Sequence, residues 1–330
     1  MKEFARLMQN RKREAIMVLI IVVISLIFQS INGSFLRFSN IANIFSGYAV
    51  YGIMAIGMML VIATGNIDVS VGAQLAVVSM IVSSLVAEGL ITSWPVAVLC
   101  GMAAGLALGL VNGLLVAVLK LPAIIVTLGT LNIMRGTMLL ILGSSWISGL
   151  PAWFTAIART MPFGLRFKMT VYVWLCVSLL AYLMMYHMVL GRRVLAVGAN
   201  PEGAERIGFK ASSAYLLAFG TMGLTSGLAA VFYTANVGIA QPVAGIGYEM
   251  TLIAAVVIGG TSFTGGRISV LGTFLGVLLL SIIESGLVIS KVPVYWQELV
   301  KGAVIIIAIL SLAFQGLTGG RRHTGKGVRP

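Results

Sequence analysis

Polar positions are so sparse in this chain that they mark its elements by interrupting an otherwise apolar run. Apolar stretches of roughly 20 residues, the length a helix needs to cross a hydrocarbon layer about 30 Å thick, are centred near residues 23, 54, 80, 107, 132, 179, 225, 256, 278 and 305. Runs such as VLIIVVISLIF, residues 18–28, lack the alternation of a strand with one face on lipid and the other on water. The pattern therefore predicts helices and excludes a barrel. The expected fold class is all-α: a polytopic membrane protein with about ten transmembrane helices and short loops, forming one transmembrane domain over residues 1–330.

Composition agrees, with 59% hydrophobic residues, 9% charged residues and a mean hydropathy of +1.05 over 330 residues. Orientation follows from the basic residues. Lys2, Arg6, Arg11, Lys12 and Arg13 precede the first stretch, and no small-residue cleavage site follows it, so an uncleaved span is expected. Placing that end inside puts Lys120, Arg192, Arg193, Arg206, Lys210, Arg267, Arg321, Arg322, Lys326 and Arg329 on the same face. Arg37, Arg159, Arg166, Lys168 and Lys291 fall on the other, and Arg135 and Lys301 lie in or beside spans. Fifteen basic residues against five predicts both termini in the cytoplasm, with residues 1–14, 191–213 and 314–330 as its basic segments. The net charge of +13 thus reads as membrane topology, and no nucleic-acid partner is expected.

The interior polar segment GRRVLAVGANPEGAERIGFKASS, residues 191–213, carries its own helix signals. Asn200 suits an N-cap, Pro201 the first helical position, Glu202 and Glu205 the positive end of a helix dipole, and Gly208 a stop. A short capped helix on a water-facing side fits a part held by another protein. The same residues would also serve an ordinary cytoplasmic loop.

Two Gly-rich interruptions stand out, IATGNIDVSVGAQ at 62–74 and VIGGTSFTGGRISVLG at 257–272. Counted as five spans apart, an odd offset, they would be inverted copies, as in many transporters. The first holds Asp68, the only aspartate, among Gly65, Asn66, Ser70 and Gly72. Asp68 reads either as a solvated residue capping the next helix, with Ser70 sharing that work, or as an intramembrane carboxylate in a broken helix lining a cavity. Flanking spans of roughly 18 and 16 residues, short for full crossings, favour the break. Gly259, Gly260 and Thr261 are the matching candidates in the second interruption. Translocation path or gate is the role expected of both sets.

The other charges and small residues read mainly as structure. Glu298 and Lys301, three apart on one helical face, are expected to pair. Glu284, inside a span, must face the bundle interior, water or a partner subunit, and Glu249 is a further acid in or beside a span. Gly101, Gly105 and Gly109, at four-residue spacing, permit close helix contact. Cys100 and Cys176 lie in spans without CxxC spacing, and His187 and His323 are too far apart in topology to share a metal. No metal site, phosphate-binding loop, HExxH or Ser/His/Asp set is present. An enzyme is therefore not expected.

Five blocks carry a resemblance: GNIDVSVGA, LPAIIVTLGTLNIMRG, LAVGANPEGAERIG, GYEMTLIAAVVIGGTSFTGGRISVLGT and YWQELVKGAVIIIAI. In this order, over about residues 40–312, the chain resembles the permease subunits of ribose-type sugar ABC importers. The resemblance implies a multi-pass protein of the bacterial inner membrane that moves a small sugar. Its implied partners are an ATPase subunit that holds the ATP and Mg, a periplasmic binding protein and a second permease copy, with no cofactor on this chain. It also implies that Asn200, Pro201, Glu202, Gly203, Ala204, Glu205 and Arg206 lie in a coupling helix seated on the ATPase. Ala199 and Phe209 depart from the family's usual glycine and small β-branched residue without disturbing that role. The alternatives are a nucleoside or branched-chain amino-acid permease of the same class, or an ion-coupled secondary carrier.

Overall fold

A computed structural model describes residues 2–143, 145–164, 166–304 and 306. The basic tail at 314–330, with Arg321, Arg322, His323, Lys326 and Arg329, lies outside the described residues. The elements are α1 (Lys2–Ile31), α2 (Phe38–Ala63), α3 (Val71–Ala87), α4 (Trp94–Ala117), α5 (Ala123–Leu142), α6 (Ala152–Arg159), α7 (Met169–His187), α8 (Val189–Ala199), α9 (Pro201–Arg206), α10 (Ala211–Val237), α11 (Tyr248–Ile258) and α12 (Val270–Ile289). A further helical stretch covers 294–304. Among the described residues no strand forms, and a lone antiparallel bridge pairs Ile147 with Ala240.

Among the described residues seven helices are long and apolar enough to cross a membrane. Most of the tenth expected stretch, centred near residue 305, lies outside the described residues, and α3, with 17 residues, and α11, with 11, are shorter apolar helices. The reason is local chemistry. Pro242, Gly245 and Gly247 halt the helix ahead of α11, and α10 ends on Gly238 at φ +82°. The apolar run therefore contains a series of turns over residues 242–247 that hydropathy alone cannot see. Conversely, α2 has 26 residues, against the roughly 18 expected from its apolar run.

α2 and α10 form the buried centre, and α1 lies outside it with Ile16, Leu19, Leu26 and Ile31 exposed. The most extensive helix contact is between α4 and α10. A Cβ on Gly105 would lie 2.2 Å from the carbonyl oxygen of Gly223, one on Gly109 2.3 Å from that of Phe219, and one on Gly227 2.1 Å from that of Gly101. The four-residue glycine spacing thus lets two backbones touch, which maximises dispersion contact where lipid offers no hydrophobic drive. Across α2, α7 and α12 the layer is aromatic: Trp174 stacks on Phe274 at 4.2 Å, and Gly52 leaves the space the indole fills.

The two Gly-rich interruptions lie at the same end of the bundle, because Gly266 N–H donates to the Ala63 carbonyl at 2.9 Å. The inverted-repeat reading is corrected accordingly. An inverted copy would stand at the opposite end, whereas α2 and α11 both run into this end and α3 and α12 both leave it. Counting α7 and α10 as the sixth and seventh spans makes the offset six, an even number, which preserves direction.

Candidate coupling and gating site

α9 is built as its sequence reads. Asn200 has extended backbone at φ −162° and its Oδ1 accepts from Gly203 N–H at 3.0 Å. Pro201 opens the helix, Glu202 sits in the first turn, and Gly208 at φ +86° ends it. Glu202, Glu205 and Arg206 are exposed, and Ala204 alone in the helix is buried. Ahead of it stands α8, an eleven-residue helix that the loop reading did not anticipate.

α8 is rooted where the interruptions meet. A Cβ on Gly198 would stand 1.9 Å from the Ala63 carbonyl oxygen and 2.7 Å from Gly266 N. Gly265, at φ +81°, brings its backbone against Gly198, Gly65 and Ala63, and Gly266 abuts Ala199. Only glycine fits such backbone-on-backbone contact. The end of α2, the α11–α12 connection and the end of α8 thus form one knot, two residues upstream of α9. The second interruption reaches the first through Gly265 and Gly266. Gly259 packs instead on Gly272, Gly260 takes φ +94°, and Thr261 is fully buried. Glu14 of α1 joins the same end: Ser269 caps α12 by accepting from Gly272 N–H at 2.8 Å and donates to Glu14 Oε1 at 2.8 Å.

Asp68 is fully buried, so the solvated alternative is corrected. Its Oδ1 accepts from Ser70 N–H at 2.9 Å and from Ser70 Oγ, and its Oδ2 accepts from Gln74 Nε2 at 3.0 Å and Asn112 Nδ2 at 3.5 Å. Neither Asp68 nor Ser70 caps α3 in the usual sense, since no side chain accepts at that N-terminus. Asp68 instead closes an Asx-type turn on Ser70 and clips it to α4. All three partner residues are neutral, so the carboxylate is solvated by hydrogen bonds without an ion pair. Thr127 of α5 donates to the Ala123 carbonyl and accepts from Val69 N–H at 3.2 Å, which ties a third helix to the turn. Asn66 bonds Thr64 Oγ1 at 2.9 Å and is hydrogen-bonded to Tyr215 of α10. Gly72 lies against Gly245, so the first interruption also touches the segment ahead of α11. That segment is held from α5 by Arg135, which donates to the carbonyls of Pro242 and Ala244.

The residues missed from sequence are Gln74, Asn112 and Thr127. Asn112 carried a signal, an amide alone in the apolar α4, and Gln74 sits one turn beyond Ser70. Thr127 carried none, since its hydroxyl also satisfies a carbonyl of its own helix.

Comparison with known proteins covers nearly the whole chain. The family described as branched-chain amino acid transport system / permease component matches residues 40–309. An autoinducer 2 import system permease protein of Salmonella choleraesuis is 35% identical over 301 residues, 91% of this chain and 85% of that protein. Proteins of the same description are 34% identical in Salmonella typhi, over the same shares, and 33% identical in Escherichia coli O9:H4, over 92% of this chain and 88% of that protein. No solved structure matches.

Proposed function

We propose, for a chain that belongs to the permease-component family of branched-chain amino acid transport systems, a function as the membrane subunit of an ABC importer whose cargo is a small sugar-like molecule. An import-system permease works with an ATPase subunit and a binding protein, and the chain itself is a transport subunit and not an enzyme. It is a multi-pass inner-membrane protein. The relatives at 33–35% identity are autoinducer 2 permeases, which favours a polyhydroxylated cargo over the branched-chain amino acids of the family's description.

One observation carries the mechanism: α9, exposed and capped, stands two residues from a knot that joins both interruptions. We assign Asn200–Arg206 to docking on the ATPase, which holds ATP and Mg. Movement of α9 is passed through Gly198 to Ala63, Gly265 and Gly266, and so to the ends of α2, α11 and α12 together. A close-packed backbone contact transmits a displacement instead of absorbing it. The Asp68 turn keeps α3, α4 and α5 in register with that movement. Gly65, Asn66, Asp68, Ser70, Gly72, Gly259, Gly260 and Thr261 belong to this gate. Both termini and α9 share the cytoplasmic side, and a second permease copy completes the path.

The test is co-purification followed by reconstitution with the ATPase and binding protein encoded beside it. ATP-dependent uptake, lost when Gly198 is replaced by valine in a protein that still inserts, is the expected result. Uptake without an ATPase partner, driven by an ion gradient, overturns the reading in favour of a secondary carrier.

A further inference from the structure

Remote from the knot, about 18 Å along α2 from Ala63 at 1.5 Å per residue, polar groups gather that the coupling mechanism does not use. A cavity of about 280 Å³ lies between α2, the start of α11 and the helical stretch 294–304, with Tyr51, Tyr248, Thr251, Met250, Glu298 and Lys301 in its walls. A narrow extension shares Thr251 and Lys301 and reaches Glu284 and Gln297. Tyr51 and Tyr248 stack with centroids 4.2 Å apart and are hydrogen-bonded to each other, and Tyr48 is hydrogen-bonded to Glu284. Lys301 Nζ lies 3.0 Å from Glu298 and 3.9 Å from Glu284. The pair expected from spacing is therefore a triad with one negative charge in excess.

We infer that this chamber is a subsite for the cargo on its way inward, and that it recognises a small polyhydroxylated molecule through vicinal hydroxyls. The inference rests on the importer reading and names the cargo's chemistry at a place on the path. Glu298 in the chamber wall, with Glu284 at the narrow extension, accepts from the cargo's hydroxyls, the ammonium and phenols donate to them, and the paired phenol rings offer a flat apolar surface to the C–H face of a sugar-like ring. An amino acid fits less well, because its carboxylate needs an unpaired cation and Lys301 is already held by two glutamates. A phosphorylated sugar is opposed by the excess negative charge. The volume is at the small end for ligand sites and the cavity is open on one side, which suits brief residence. Charged groups are costly in a membrane unless they pair or line a cavity, and here Glu298 and Lys301 do both.

The experiment uses the reconstituted importer with Cys100 and Cys176 replaced by serine and a reporter Met250→Cys, since Met250 is half exposed in the wall. Alkylation by a small water-soluble maleimide is timed with D-ribose, ribitol or L-leucine present, and Ser148→Cys, outside the cavity, sets the unprotected rate. The expected result is that Met250→Cys reacts, that the two polyols slow it several-fold, and that L-leucine does not. Adding Tyr248→Phe and Glu298→Gln should abolish the protection and leave the alkylation rate intact. No reaction at Met250→Cys, no protection by either polyol, or protection by L-leucine overturns the subsite. If ATP-dependent uptake persists in that case, the importer reading survives the loss of the chamber. Polyol protection without ATPase-dependent uptake supports the chamber and sinks the importer reading instead.

Discussion

Replacing Asp68 separates a carboxylate used as a hydrogen-bond acceptor from one used for its charge. In Asp68→Ala, Ser70 N–H loses its acceptor inside a fully buried turn, and Gln74 Nε2 loses one of its two. Ser70 Oγ, at 2.9 Å from Gln74 Nε2 and 2.8 Å from Asn112 Nδ2, remains to receive the amides. Ser70 N–H and Ser70 Oγ–H are thus left without their acceptor, and an unsatisfied buried donor costs about 1–3 kcal/mol, so the expected loss is about 2–6 kcal/mol. Asp68→Asn keeps the acceptor facing Ser70 and turns a donor toward Gln74 and Asn112. Both of these amides have an unpartnered oxygen, Gln74 Oε1 and Asn112 Oδ1, and a flip of either receives the new donor. Asn should therefore cost under about 1 kcal/mol. The assays are the thermal unfolding midpoint of the detergent-solubilised protein and uptake in cells with expression matched. Asn should hold both near the parent level, and Ala should lower both. Equal loss in the two variants, with uptake that collapses when the proton gradient is dissipated while ATP is maintained, would refute the acceptor argument and the importer reading with it.

Three further outcomes follow from the geometry. Gly105→Ala should cost about 1–3 kcal/mol through forced separation of α4 and α10, read as a lower unfolding midpoint, and Gly223→Ala should match it because the contact is reciprocal. Glu202→Lys, which opposes the dipole of α9 by about 0.5–1 kcal/mol, and Pro201→Gly, which loosens its first turn by a similar amount, should leave insertion intact and reduce cargo-stimulated ATP hydrolysis. Wild-type hydrolysis and uptake in both would remove α9 from coupling. A cysteine at Lys210 should react with impermeant thiol reagents only from the cytoplasmic side, and one at Ser148 from outside intact cells. α10 separates their ends by about 40 Å at 1.5 Å per residue, so labelling of both from one side would discard the assigned orientation.

What was legible in the sequence divides by the range of the interaction. Asn200, Pro201 and Gly208 act within one turn of themselves, so the cap of α9 could be read directly. The glycines of α4 announced a close contact by their spacing, but their partners Gly223 and Gly227 lie over a hundred residues on, and nothing local names them. Hydropathy marked the place of α3 and, to within a residue, its length of 17, and it overstated the length of α11, because it weighs transfer to lipid and not the backbone breaks at Pro242, Gly245 and Gly247. Asp68 was conspicuous as the sole aspartate. Its burial depends on Asn112 and Thr127, which arrive from two other helices, and only the fold supplies them.

The separation of charge along the bundle bears on how such a subunit can release what it admits. At the knot the contacts are backbone against backbone, and Asp68 is balanced by neutral amides and a hydroxyl, so the buried carboxylate of the turn is already occupied by hydrogen bonds. Charge stands beside this turn in Arg13 and Glu14 at the knot, in Glu249 and Arg135 around the segment ahead of α11, in α9, and far along α2 in Glu284, Glu298 and Lys301. On the proposed path a cargo meets weak recognition first and, at the gate, a buried carboxylate that is already hydrogen-bonded. Placing an unpaired lysine at Gly260, beside the gate, should then slow uptake of a polyol less than it alters the insertion and stability of the protein, because the cost falls on burying the charge and not on holding the cargo. A Gly260→Lys protein that inserts at the parent level and retains cargo in the membrane fraction would show instead that the inner gate binds, and would move the recognition site from the chamber to the knot.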